Sequence, residues 1–185
     1  RFGSTLNGAG DLNNDGFADL LIGAWGYSGN TGKVYLYMYG MNGTLFSDLT
    51  MTGEATSNIF GVSVSSAGDV NGDGYSDVIG GAYGYNGNTG RAYIFYGGLS
   101  MNNVADVTFT GEAANCFFGC SVSSAGDVNG DGYSDVIVGA FGYSPITGKA
   151  YIFYGGPSMN NIADVTFTGE AESKFGCSVS SAGDV

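Results

Sequence analysis

Histidine is absent from the 185 residues, proline occurs twice, cysteine three times, and five basic residues stand against 17 acidic ones. Each shortage argues against a class of function. With no histidine, no thiol beside a base and no Ser-containing nucleophile elbow, the chain lacks the usual parts of nucleophilic and general acid–base catalysis and is expected not to be an enzyme. A formal net charge of -12 repels phosphate backbones and anionic lipid surfaces, which argues against nucleic acid as a partner. No apolar run approaches the roughly 20 residues that cross a bilayer, so no membrane span is expected, and no charged-then-apolar leader opens the sequence. Cys116, Cys120 and Cys177 are an odd set and make no paired framework.

What is present is glycine, at 35 residues, and an aromatic complement dominated by 13 tyrosines and 12 phenylalanines. Glycine supplies positive φ in tight turns and aromatics favour pleated, half-buried surfaces, so many short strands joined by turns are expected. The hydrophobic fraction of 43% is enough for a core. Acidity is concentrated: nine of the thirteen aspartates fall in three nine-residue stretches, Asp11 to Asp19 (DLNNDGFAD), Asp69 to Asp77 and Asp127 to Asp135 (both DVNGDGYSD). That localisation favours cation binding over a generally acidic, salt-adapted surface.

The stretches recur because the chain repeats. Phe-Gly at Phe2, Phe60, Phe118 and Phe175 opens each unit, at offsets of 58, 58 and 57 residues. One array over 1–185 therefore comprises repeats 2–59, 60–117 and 118–174 with a partial fourth at 175–185. Each repeat holds four strand-like runs. In the second these are Phe60 to Ala67, alternating on one apolar face, then Ser76 to Ala82, Arg91 to Gly97 and Asp106 to Glu112. Four strands per unit, two of them apolar on both faces, suit sheets stacked face to face: an all-β fold of four-stranded antiparallel β-propeller blades. An open solenoid is the structural alternative. Closed propellers take about 4 to 8 blades, so assembly or further repeats are expected to complete the ring.

The Phe-Gly pairs, the Asp-rich loops and the following Gly23-Ala24, Gly81-Ala82 and Gly139-Ala140 together resemble the FG-GAP repeat of integrin α-subunit propellers. The resemblance covers essentially the whole chain. The family's proline after Gly-Ala is replaced by Trp25, Tyr83 and Phe141. It implies calcium loops joining the first two strands of each blade, a ligand-binding rim opposite them, and an extracellular or cell-surface location.

A hard divalent cation takes oxygen ligands, which a tight loop supplies from alternate positions. In the first loop these are Asp11, Asn13, Asp15 and Asp19 by side chain and Phe17 by its carbonyl. The second offers Asp69, Asn71, Asp73, Asp77 and Tyr75, and the third Asp127, Asn129, Asp131, Asp135 and Tyr133, with Gly16, Gly74 and Gly132 at the sharp turn. Three Ca²⁺ sites are expected. An EF-hand would need a bidentate Glu at position 12, where Ile22, Gly80 and Val138 stand instead. The alternative of metal-free Asp/Asn/Gly turns would crowd three acids in one short loop with no cation to offset them. Asp184 begins a fourth loop that the sequence does not finish.

Cys120 and Cys177 occupy the position of Val62 and are expected to be buried, inert thiols. Equivalent positions in stacked sheets lie roughly 10 Å apart, and Cys116 to Cys120 spans about 13 Å when extended, so no intrachain bridge is expected. Aromatics of the third strands, Tyr35, Tyr37, Tyr93, Phe95, Tyr151 and Phe153, suit packing between blades better than a stacking platform. Tyr27, Tyr85 and Tyr143 fall on the rim, as ligand contacts or as turn residues. Asn42-Gly43-Thr44 is a lone glycosylation sequon. The reading is a calcium-stabilised extracellular propeller segment serving adhesion, protein binding or structural assembly. Its partners would be a protein or glycan ligand at the rim and, by self-association, further copies, or neighbouring repeats. A lectin, or a non-catalytic propeller module of a secreted enzyme, is the alternative.

Overall fold

The computed structural model describes residues 2–40, 45–143 and 147–181, with the side chains of 45–48 left aside. The sequon at 42–44, the residues 144–146 of the third rim loop, and Asp184 lie outside the described residues. Among the described residues twelve strands form three four-stranded antiparallel sheets, each in chain order. The first sheet is β1 (Thr5–Gly10), β2 (Asp19–Gly23), β3 (Lys33–Tyr39) and β4 (Leu45–Thr52). The second is β5 (Ser63–Gly68), β6 (Asp77–Ala82), β7 (Arg91–Phe95) and β8 (Val107–Thr110), and the third is β9 (Ser121–Gly126), β10 (Asp135–Ala140), β11 (Lys149–Phe153) and β12 (Val165–Thr168). These are propeller blades, and their innermost strands pack in series, β1 on β5 and β5 on β9.

In β3 and β6 burial follows the sequence. In β3, Val34, Leu36 and Met38 are buried while the intervening residues are half-buried. In β6 all six residues of DVIGGA are buried, as a central strand covered on both faces requires. The cores lie between blades. Leu21, Leu36 and Met51 of the first meet Phe60, Val64 and Phe95 of the second. Ile79, Ile94 and Phe109 of the second meet Phe118, Val122 and Phe153 of the third. The third-strand aromatics Tyr93, Phe95, Tyr151 and Phe153 are buried in these interfaces, Phe153 stacking on Phe109 at 4.0 Å between ring centroids.

Blade junctions explain the glycines of the repeat signature. Phe60 bridges Gly32 of the preceding blade in parallel, as Phe118 bridges Gly90 and Phe175 bridges Gly148. The glycine of each Gly-Ala pair then lies against the carbonyl of the next Phe-Gly glycine. A Cβ on Gly23, Gly81 or Gly139 would collide with the carbonyl oxygen of Gly61, Gly119 or Gly176. Where the resembled pattern has proline, the chain turns without it. Gly84 donates its N–H to the carbonyl of Asn58 at 3.1 Å and Gly142 to that of Cys116 at 3.1 Å, while Phe141 stacks on Phe117 at 4.8 Å.

The cysteines differ from one another. Cys116 is buried, Cys120 half-buried and Cys177 exposed, and all three are free thiols. Cys120 sits in a junction between blades, its thiol near the carbonyls of Gly139 (3.4 Å) and Gly176 (3.5 Å). Cys177, at the equivalent place in the next repeat, is exposed, so the expectation of a buried thiol fails there.

Candidate metal centre

Each acidic stretch links the first and second strands of its blade, at the end opposite the turns that join the second and third. A bulge tips the chain out of the first strand, with Gly10, Gly68 and Gly126 at φ 76°, 76° and 78°. The loop then turns at Gly16, Gly74 and Gly132, at φ 89°, 89° and 93°, a conformation that a side chain would strain.

Hydrogen bonds wind the second and third loops identically and the first nearly so. Asp69 accepts at Oδ1 from the N–H groups of Gly72 (2.7 Å) and Asp73 (3.1 Å) and at Oδ2 from that of Gly74 (2.8 Å). Asn71 accepts from Asp73 N–H at 2.9 Å, and Asp73 accepts from Tyr75 N–H at 3.0 Å and from the Asn71 amide at 3.0 Å. Asp127, Asn129 and Asp131 repeat the pattern, as in the 2.8 Å bond from Gly132 N–H to Asp127. Asp11, Asn13 and Asp15 repeat it from position 5 onward, with Asp15 N–H 3.1 Å and Gly16 N–H 2.8 Å from Asp11 and Phe17 N–H 3.0 Å from Asp15.

The aspartate at position 9 stands apart. Asp19, Asp77 and Asp135 are buried at the floor of their loops. Asp77 accepts from Val70 N–H and from Gly97 N–H, both at 2.8 Å, clasping the loop to the chain that leaves β7. Asp135 does the same for Val128 and Gly155, and Asp19 for Leu12 and Tyr39. Burial pushes the Asp77 carboxyl up to about 7 against the pull of those two amides, and the nearby Asp73 and Asp69 add to the rise. Asp19 and Asp135 are raised for the same reasons, burial foremost.

The structure thus gathers the five expected residues of each loop within one turn. The position 9 carboxylate is buried in each, whereas positions 1, 3 and 5 are half-buried or exposed. Among the described residues no three carboxylates close into a finished metal shell. The donor set nonetheless fits a hard dication: it is all oxygen, and like charges crowd a carboxylate whose ionised form burial disfavours.

Two features escaped the sequence reading. The loops are wired in series: Ser76 donates its N–H to the Asp11 carbonyl at 3.0 Å and Ser134 to that of Asp69 at 2.9 Å, so position 8 of one loop holds position 1 of the loop before. Ion pairs also cross each blade interface, Arg91 to Glu54 at 2.7 Å and Lys149 to Glu112 at 2.8 Å. The trace was available, since a Glu closes each fourth strand run and a Lys or Arg opens each third. The same cations cap the rim tyrosines, with Lys33 4.2 Å from the ring centroid of Tyr27, Arg91 3.7 Å from Tyr85 and Lys149 3.7 Å from Tyr143.

Comparison with known proteins agrees with this architecture. The family described as FG-GAP-like repeat matches residues 11–80 and 69–138. Integrin alpha-5 of Xenopus laevis is 36% identical over 155 residues, covering 76% of this chain and 15% of its own length. Integrin alpha-IIb of Mus musculus is 36% identical over 153 residues (74% of this chain, 14% of its own length), and integrin alpha-3 of Cricetulus griseus 38% over 151 residues (75% and 14%). The chain therefore spans about one seventh of the length of these relatives.

Proposed function

The chain belongs to the FG-GAP-like repeat family, and on that footing we propose that it is an extracellular, non-catalytic propeller segment that calcium stabilises and that serves adhesion by binding protein at its rim. The observation that carries this reading is the recurrence of one acidic loop, wound by the same hydrogen bonds, at the same end of three stacked blades. Asp11, Asn13, Asp15 and Asp19, and their counterparts 58 and 116 residues on, would hold the ions, with the carbonyls of Phe17, Tyr75 and Tyr133. Three bound dications bring the formal charge from -12 to -6 and relieve repulsion where it is densest. Similarity to integrin alpha chains supports the adhesive role and the extracellular setting.

With the loops fixing one end of each blade, the opposite rim is left to meet a partner. One face of each rim tyrosine is already taken by a cation, which favours a protein surface over a sugar stacked on the ring. The array boundaries remain those of repeats 2–59, 60–117, 118–174 and 175–185. The test is calcium titration followed by thermal unfolding and elemental analysis. Three ions per chain are expected, each adding roughly 2.7 kcal/mol at ~100 times its dissociation constant. A melting temperature that a chelator leaves unchanged refutes the reading.

A further inference from the structure

Hydrogen bonds join the three acidic loops into one line. Where the chain leaves β11, Gly155 donates its N–H to the Asp135 carboxylate at 2.9 Å, and the next residue, Gly156, donates to the carbonyl of Val70 at 2.7 Å. Val70 is position 2 of the second loop, and its own N–H goes to the Asp77 carboxylate at 2.8 Å. The pattern then repeats one blade back. Gly97 donates to Asp77 at 2.8 Å, Gly98 to the carbonyl of Leu12 at 2.7 Å, and Leu12 to the Asp19 carboxylate at 3.0 Å. The position 9 carboxylates of all three loops thus stand in one series, linked by a single residue or a pair of adjacent glycines at each step.

Two features leave this line little slack. Leu12, Val70, Asp77 and Asp135 are 0% exposed and Asp19 is 2% exposed, so water does not compete for these bonds. The glycines are also closely fitted: a Cβ on Gly97 would meet the carbonyl oxygens of Ser76 and Leu12, and one on Gly155 those of Ser134 and Val70. A second contact runs beside the first. Ser76 and Ser134, each next to a position 9 aspartate, hold the carbonyls of Asp11 and Asp69 by their N–H groups. A shift at position 9 of one loop therefore displaces positions 1 and 2 of the loop before it, and position 1 carries the first carboxylate of the expected ligand set.

We propose that the three loops take up calcium cooperatively, each loop that closes on an ion setting positions 1 and 2 of its neighbour. The coupling rests on the calcium reading above and adds to it. Coupling between binding sites is reciprocal, so the middle loop should feel both neighbours and each of them should feel it. Charge alone predicts the opposite sign, because adjacent dications repel and emptying one loop would tighten the next.

Calcium titration of the full chain, followed by NMR, separates the sites. The amides of Gly16, Gly74 and Gly132 each donate to the position 1 carboxylate of their own loop and report it individually. Asp73→Ala should empty the second loop and weaken calcium at the first and third by about five-fold or more. Asp131→Ala should weaken the second loop more than the first. Gly97→Ala places a methyl at the junction of the first two loops. In that background Asp73→Ala should still weaken the third loop but no longer the first. Absence of calcium binding at every loop would overturn the calcium reading and the coupling with it. Ions that bind at the first and third loops of Asp73→Ala with unchanged or tighter affinity would leave the calcium reading standing and overturn the coupling alone. Equal losses at the first and second loops of Asp131→Ala would mean a general loosening, and would overturn it too.

Discussion

Asp73 and Asp77 stand four residues apart in one loop and do different work. Asp73 is exposed and turns the loop through Tyr75 N–H, whereas Asp77 is 0% exposed and satisfies the N–H groups of Val70 and Gly97. Asp73→Ala should therefore lower bound calcium from three ions to two per chain by elemental analysis, with little effect on stability in chelator. Asp77→Ala should lower stability even in chelator, by about 1–3 kcal/mol, because it leaves two amides without acceptors. Equal losses for both variants in chelator would contradict this division. The thiols make a second contrast. Burial pushes the Cys120 thiol from its ordinary 9.0 up to about 11, and since only the thiolate reacts, its alkylation should stay slow at pH 9 and accelerate as pH approaches 11. Cys177 is exposed, so access does not limit its labelling, and mass spectrometry of the labelled peptides separates the two thiols.

The four strands of each blade were legible in the sequence because period-two alternation and the 58-residue repeat reported the same boundaries twice over. The runs Arg91 to Gly97 and Asp106 to Glu112 become β7 (Arg91–Phe95) and β8 (Val107–Thr110), shorter only where the ladder ends. The loop positions were legible because metal-ligand chemistry fixes residue type and spacing locally. What crosses between blades was not. The wiring of Ser76 to Asp11 uses backbone atoms, and the pairing of Glu54 with Arg91 spans 37 residues, so neither leaves a local pattern. Gly81 shows the same limit: its sequence suggests a strand glycine, and only the stacked neighbour reveals that the Gly119 carbonyl fills the place of its Cβ. Gly81→Ala is accordingly expected to destabilise by about 1–3 kcal/mol, since backbone must move to admit the methyl. Gly8→Ala in β1, where nothing lies within 4 Å, should be near neutral by the same thermal unfolding measurement.

Neither hydrophobic cluster belongs to one blade, and this sets how the whole molecule unfolds. Ile79, Ile94 and Phe109 are fully buried only because Phe118, Val122 and Phe153 cover them, so the second and third blades share their apolar free energy. Stability in such an array is a sum of weak units and strong neighbour contacts. Phe118 is the test residue: it is 2% exposed and meets Tyr151 and Phe153 edge-on, at 5.3 and 6.2 Å between ring centroids. Truncation to alanine removes a large side chain from a packed site, which costs about 3–5 kcal/mol. Because the site is shared, the loss should appear on both sides of it. Hydrogen exchange of Phe118→Ala should quicken in β6 and β7 as much as in β10 and β11. The first blade, which packs on the second through a separate cluster around Phe60, should change least. Faster exchange confined to the third blade would mean that the second holds its structure alone, and that the interface does not couple them.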